Sequence, residues 1–220
     1  MAIRKRDRTR SKLLIAAQQL ALESGAAALT VLNLTERAEV ALGTFYNYYR
    51  TREDVLDDLR ELLIAASRND VTQVIEGLSS PVAIVAASVR QTLHLALPGT
   101  DMGRLLFDSD LPMHEFIVGL RQFFKRDLEA GMRSGEFRIS NEVAVISMVS
   151  GISFGTMQDI YRGALSVEMI DDITEMTLRL LGAEAEVAEV EARRPIKLCP
   201  PIKLPLCATD LLAPLGAAPK

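Results

Sequence analysis

T-V-L-N-L-T-E-R-A-E-V-A-L-G-T-F-Y-N-Y-Y-R-T-R-E-D, residues 30 to 54, decides the fold. The stretch reads as two short helices joined by a tight turn. Val31, Leu34 and Ala38 recur at helical spacing and form one apolar stripe, with Thr30 placed as an N-cap whose hydroxyl can satisfy a free backbone N–H. Glu39-Val40-Ala41 breaks the pattern. After it, Phe45 and Tyr49 stand four apart and point inward, while Thr44, Tyr46, Asn47 and Tyr48 spread over the rest of the second helix. Tyrosines and an asparagine at this spacing would be odd in a core, so the second helix is built to touch something outside. Its size fits the major groove of B-DNA.

The segment A-E-V-A-L-G-T-F-Y-N-Y-Y-R-T-R-E-D-V-L resembles the helix-turn-helix signature of the TetR family of transcriptional regulators, and the likeness extends from about Arg10 to Leu59. Gly43-Thr44-Phe45-Tyr46, the aromatic Tyr49 and the basic-then-acidic Arg52-Glu53-Asp54 carry it. Two positions depart from the pattern: Glu39 stands where glycine is usual in the turn, and Ala41 where a small polar residue usually caps the second helix. A non-glycine residue in a left-handed turn costs about 1 kcal/mol.

The resemblance implies DNA contacts from Thr30, Leu42, Gly43, Thr44, Tyr46, Asn47, Tyr48 and Arg52. Thr44 and Asn47 suit a phosphate or a base edge, and Tyr46 suits a phosphate oxygen or a thymine methyl. Tyr48 stands where the family often has a histidine on the DNA backbone, and Arg52 resembles its phosphate-gripping lysine. Leu42 and Gly43 allow close approach to bases.

Charge is distributed in keeping with that. The chain has 220 residues and a net charge of −4, which by itself argues against a nucleic-acid partner. Residues 1–60, however, hold ten Lys/Arg against eight Asp/Glu, and residues 61–220 hold fifteen against twenty-one. Arg4, Lys5, Arg6, Arg8, Arg10 and Lys12 form a basic arm able to neutralise phosphates.

The remainder reads as helix after helix, with no β-alternation longer than a few residues, so the expected fold is all-α. A first helix is predicted from near Asp7 to Gly25. Thr51 and Asp54, in capping-box spacing, start another that runs to about Gly77. Further helices are expected at Val82 to Leu97, Met102 to Asp108, Pro112 to Met132, Glu142 to about Arg162 and Ser166 to Leu181. Three units follow: 1–60, a three-helix DNA-binding unit; 61–182, a helical ligand-binding and dimerisation unit; and 183–220, a proline-rich tail. That tail, with P-I-K-L at 195–198 and 201–204, is expected to be extended, polyproline-like or disordered, with disorder favoured over docking on a surface.

By the resemblance, Glu142–Arg162 and Ser166–Leu181 pair with the same helices of a second subunit, Gly151 and Gly155 allowing close approach. Pocket candidates are Leu93, Phe107, Phe116, Phe123, Phe124, Met148, Ile152, Met157 and Tyr161. The expected partners are operator DNA, a second copy of the chain and a small-molecule effector.

Neither an enzyme nor a cofactor is expected. His94 and His114 are the only histidines, and no H-x-x-x-H, C-x-x-C or G-x-S-x-G element occurs. Asp101, Asp108, Asp110 and His114 follow no metal-ligand spacing. The pairs Asp57-Asp58 and Asp171-Asp172 read as solvated helix surface. Cys199 and Cys207 are expected as free thiols, no membrane span is expected, and a cytoplasmic location follows. The same fold acting as an activator or without an effector, or a helical carrier or enzyme, remains as an alternative reading.

Overall fold

The computed structural model describes residues 5–207 except 113, without the side chains of Lys5, Arg6, His114, Glu115, Ile117, Leu120 and Phe123. Among the described residues every regular element is helical. The order is α1 (Lys5–Ser24), a 3₁₀ turn (Ala26–Ala28), α2 (Val31–Arg37), α3 (Leu42–Phe45), α4 (Arg52–Val74), α5 (Pro81–His94), α6 (Asp101–Phe107), α7 (His114–Ser134), α8 (Glu142–Tyr161), a second 3₁₀ turn (Val167–Met169), α9 (Ile170–Leu180) and α10 (Ala185–Ala192).

Helix starts are set by short polar side chains that accept from backbone N–H groups of the first turn. Thr30 accepts from Asn33, Ser80 from Ala83, Thr100 from Gly103 and Asn141 from Ala144. Thr51 and Asp54 form a reciprocal capping box. Burial then joins the helices into one core, which runs from Leu13, Leu14, Leu34 and Phe45 through Leu59 and Leu63 to Leu93, Met102, Phe116 and Leu178.

α4 is shared between two groups of helices. It packs against α1, α5 and α7, with Asp58 near its start bonded to Arg10 of α1. The α4–α7 contact is close because Gly119 leaves room for Ile64: a Cβ at 119 would sit 2.3 Å from Ile64 Cδ1. The C-terminal end of α1 is tied to the α6 region, with the Ala26 N–H donating to Ser109 O at 2.6 Å and Arg104 donating to Leu22 O at 2.9 Å.

Residues 195–207 differ from the disordered tail that proline density suggests. They form an extended strap docked on the body, and side chains of three helices take its main-chain groups. Gln91 accepts from the Cys199 N–H at 2.9 Å, and Asp101 accepts from the Leu204 N–H at 3.0 Å. Gln18, fully buried on α1, accepts from the Leu206 N–H at 2.6 Å and donates to Leu206 O at 2.9 Å. Proline forbids a helix here, but an extended chain can still satisfy its free N–H and C=O groups on side-chain amides and carboxylates. Residues 208–220 lie outside the described residues.

α8 lies where the sequence places it, and its 20 residues, at a mean hydropathy of 1.3, are long and apolar enough by length and composition to cross a bilayer. It packs on α5, α6 and α7 within the helical body, and its outer face carries Val143, Met148 and Ile152, exposed at 79%, 49% and 40%. A Cβ at Gly151 or Gly155 would meet nothing within 4 Å. Two apolar faces, one turned inward and one outward, account for the hydropathy.

Candidate functional site

The turn between α2 and α3 is built as the sequence predicts. Glu39 adopts φ 54°, in the left-handed region, and Ala41 starts α3 from an extended conformation without a side-chain cap. α3 itself is shorter than expected. Beyond Phe45 the chain tightens, Asn47 N–H donating to Thr44 O and Tyr48 N–H to Phe45 O, before Tyr49 N–H returns to Phe45 O.

Burial fixes which side of this segment faces outward. Phe45 is fully buried and Tyr49 is 5% exposed, the two rings packed at 5.7 Å. Leu42 and Tyr46 stand out at 52% and 56% exposure, with Gly43 and Asn47 also exposed and Thr44, Tyr48 and Arg52 half-buried. The Tyr46 ring is braced edge-on by Phe45 at 5.4 Å. Gly43 has open space where a Cβ would lie. Thr30 lies exposed at the start of α2, its oxygen engaged by the Asn33 N–H at 3.1 Å. The eight sequence candidates therefore lie at the N-cap of α2 (Thr30), in α3 (Leu42, Gly43, Thr44), in the turns after it (Tyr46, Asn47, Tyr48) and at the start of α4 (Arg52).

One acidic group is more enclosed than its place on a helix suggests. Asp58, expected as solvated surface, has a side chain only 22% exposed. It accepts from Tyr49 Oη at 2.6 Å and from Arg10 Nε at 2.7 Å. Burial raises its pKa, but those two bonds outweigh burial and hold it below the usual carboxylate value. Arg10 consequently braces α1 against α4 instead of standing free in the basic arm. Asp171 pairs with Arg90 at 3.0 Å. A tyrosine four residues after a buried phenylalanine was the signal that a buried partner for its hydroxyl would be needed.

Between α4, α5, α7 and α8 lies a cavity of about 300 Å³. Of the pocket candidates, Phe116, Phe124 and Met157 line it. Leu93 is core, and Phe107 and Tyr161 stack on one another at 5.5 Å, with Tyr161 bonded to Asp108. Met148 and Ile152 face outward, and the Phe123 side chain lies outside the described residues. Helical spacing alone could not tell the two apolar faces of α8 apart. The structure adds Val85, Val89, Val149 and Phe154, together with a set of hydroxyls.

Ser67, Ser88, Thr92 and Ser150 each donate to the carbonyl one turn back, at 2.9, 2.7, 2.7 and 2.6 Å. Their lone pairs are left to accept. Among the described residues no group of three or more His, Cys, Asp or Glu could hold a metal ion. Asp101 is instead taken by the strap, and Asp108 is paired with Arg162 at 2.8 Å.

Comparison with known proteins gives the geometry a family. The profile of bacterial regulatory proteins of the tetR family matches residues 13–59, and that of the tetracyclin repressor-like C-terminal domain matches residues 80–194. Among curated protein sequences none matches. Among solved structures, RolR in complex with its ligand resorcinol is 25% identical, with 88% of this chain and 97% of that one aligned at a TM-score of 0.69. A regulator from Syntrophomonas wolfei assigned to the TetR family is 20% identical, over 86% and 96% of the two chains, with a TM-score of 0.65. The fatty acid degradation regulator FadR from Bacillus halodurans is 17% identical, over 80% and 97%, with a TM-score of 0.64. With its helix-turn-helix matched at one end and its helical body at the other, the chain belongs to the TetR family of DNA-binding transcriptional regulators.

Proposed function

We propose that the protein is a homodimeric cytoplasmic repressor that occupies a two-fold operator and leaves it when a small molecule fills the cavity between α4, α5, α7 and α8. The observation that carries this reading is the outward display of Leu42, Gly43, Tyr46 and Asn47 over a buried Phe45 and Tyr49. Among the described residues nothing lies within 4 Å of where a Cβ at 43 would stand, and a glycine there suits close approach of an outside surface.

Two reading helices can match successive major grooves only at a fixed separation, about 34–36 Å for one helical turn. The apolar outer face of α8, with Met176 of α9 exposed at 60%, suits a second copy of itself, and glycines at 151 and 155 let helices approach. α4 supplies the link to the cavity. From Asp54, in the capping box beside the reading segment, to Ser67, in the cavity wall, it runs about 20 Å as one rigid helix. A ligand that shifts the Ser67–Thr72 turns therefore swings the reading head. Such a ligand changes occupancy only by its preference for one geometry over the other. RolR, which shares the architecture, is a complex with resorcinol, and this supports a small-molecule occupant.

Selection of bound fragments from the source genome, followed by footprinting, tests the reading. A two-fold site protected in successive major grooves, overlapping a promoter and released in vivo by deleting the gene, is expected. Sites without two-fold symmetry, or target transcription that falls on deletion, would overturn the repressor.

A further inference from the structure

The cavity is lined by a guanidinium whose Nε has no hydrogen-bond partner among the described residues. Arg68, Arg121, Arg126 and Asp127 line it, three cations against one anion in a chain that is acidic overall. Asp127 is already committed: its Oδ1 lies 2.9 Å from Arg126 Nε and 2.8 Å from Arg126 Nη2. Arg121 Nε is buried and has no hydrogen-bond partner among the described residues. Buried Nε atoms of Arg52 and Arg90 also lack a well-formed hydrogen bond, but they lie 3.3 and 3.0 Å from Glu53 and Asp171. No described carboxylate forms such a pair with Arg121.

A buried charged donor left unmet is costly, whereas hydroxyls that already donate are satisfied and merely accept. The strongest match to a guanidinium edge is a carboxylate held by two parallel N–H groups. The rest of the cavity is apolar and aromatic, with Phe116, Phe124 and Phe154 in its wall. Its volume of about 300 Å³ is roughly twice that of a cavity known to hold benzene. That admits one substituted ring.

We propose that the effector is a small aromatic carboxylic acid, its carboxylate on Arg121 and its ring among these phenylalanines. Hydroxyls on the ring would donate to Ser88, Thr92 or Ser150. This rests on the reading of the cavity as the effector site. Arg121 is then the residue that separates acids from neutral aromatics of the same shape.

Calorimetric titration of the full-length protein tests it, with benzoate and 4-hydroxybenzoate as acid probes, benzamide and phenol as neutral ones, and inorganic phosphate as a bare anion. Both acids should bind at least about tenfold more tightly than benzamide, as one charge-assisted contact implies, and should weaken operator binding. Arg121→Met should abolish the difference between acid and amide, and Arg121→Lys should restore part of it. Ser153→Trp, which fills the cavity, should remove binding of every aromatic probe while thermal melts confirm folding.

If neutral rings bind as tightly as acids and Ser153→Trp removes both, the carboxylate assignment fails and the effector cavity stands. If acids bind regardless of Ser153→Trp, the cavity reading itself fails. Phosphate binding equal to benzoate, or no acid binding at millimolar concentration, would also overturn the proposal.

Discussion

Tyr49 donates its hydroxyl to Asp58 at 2.6 Å, and the same carboxylate oxygen accepts from Arg10 at 2.7 Å. One acceptor thus joins α1, the end of the reading segment and α4. Asp58→Ala leaves a partly buried tyrosine and arginine without their partner and should cost about 1–3 kcal/mol, read by urea unfolding, with weaker operator binding. The sign with pH follows from the lowered folded pKa of Asp58. Its contribution is present above the ordinary carboxylate value and is lost as pH falls through the folded one, so Asp58→Asn should flatten that part of the acid limb.

Gly43 is the second residue of α3, where alanine is the better helix former, and its Cβ would meet open space. Gly43→Ala should therefore raise the melting temperature slightly and weaken operator binding. A gain in stability with unchanged DNA affinity would show that glycine there serves no partner.

The docked strap should matter to stability. Ending the chain at Arg194 exposes the Gln18 amide, which is fully buried, along with the acceptors on Gln91 and Asp101. Gln18→Ala strands the Leu206 N–H and should cost about 1–3 kcal/mol, and the truncation should lower the melting temperature at least as much. Limited proteolysis should cut the Gln18→Ala strap well before the wild-type one.

Asp70 on α4 is pushed up to about 6 by burial. A raised carboxylate stabilises least when ionised, so its contribution falls as pH rises from about 4 through 6. Asp70→Asn should melt higher than wild type at pH 7.5, and that advantage should vanish near pH 4.

How much of this was legible in the sequence differs by region. The helix-turn-helix could be read because each signal was local: Thr30, Thr51 and Asp54 as caps, and Phe45 with Tyr49 as the inward pair. The cavity was only half legible, because Met148 and Ile152 share the helical spacing of Val149 and Met157 and only tertiary packing separates the faces of α8. The strap was misread because proline density excludes a helix without saying whether an extended chain finds partners, and Gln18 lies 188 residues from Leu206. Asp58 was misread for the same reason, since its partners Arg10 and Tyr49 are brought to it by the fold.

The central claim is that residues 42–47 read DNA from outside a buried brace. Fluorescence anisotropy on the selected duplex, against a scrambled one, tests it directly with the double variant Tyr46→Ala and Asn47→Ala. The account predicts a folded dimer whose affinity for the selected site falls at least about tenfold, toward that for scrambled DNA. A variant that keeps full preference for the selected duplex would contradict it.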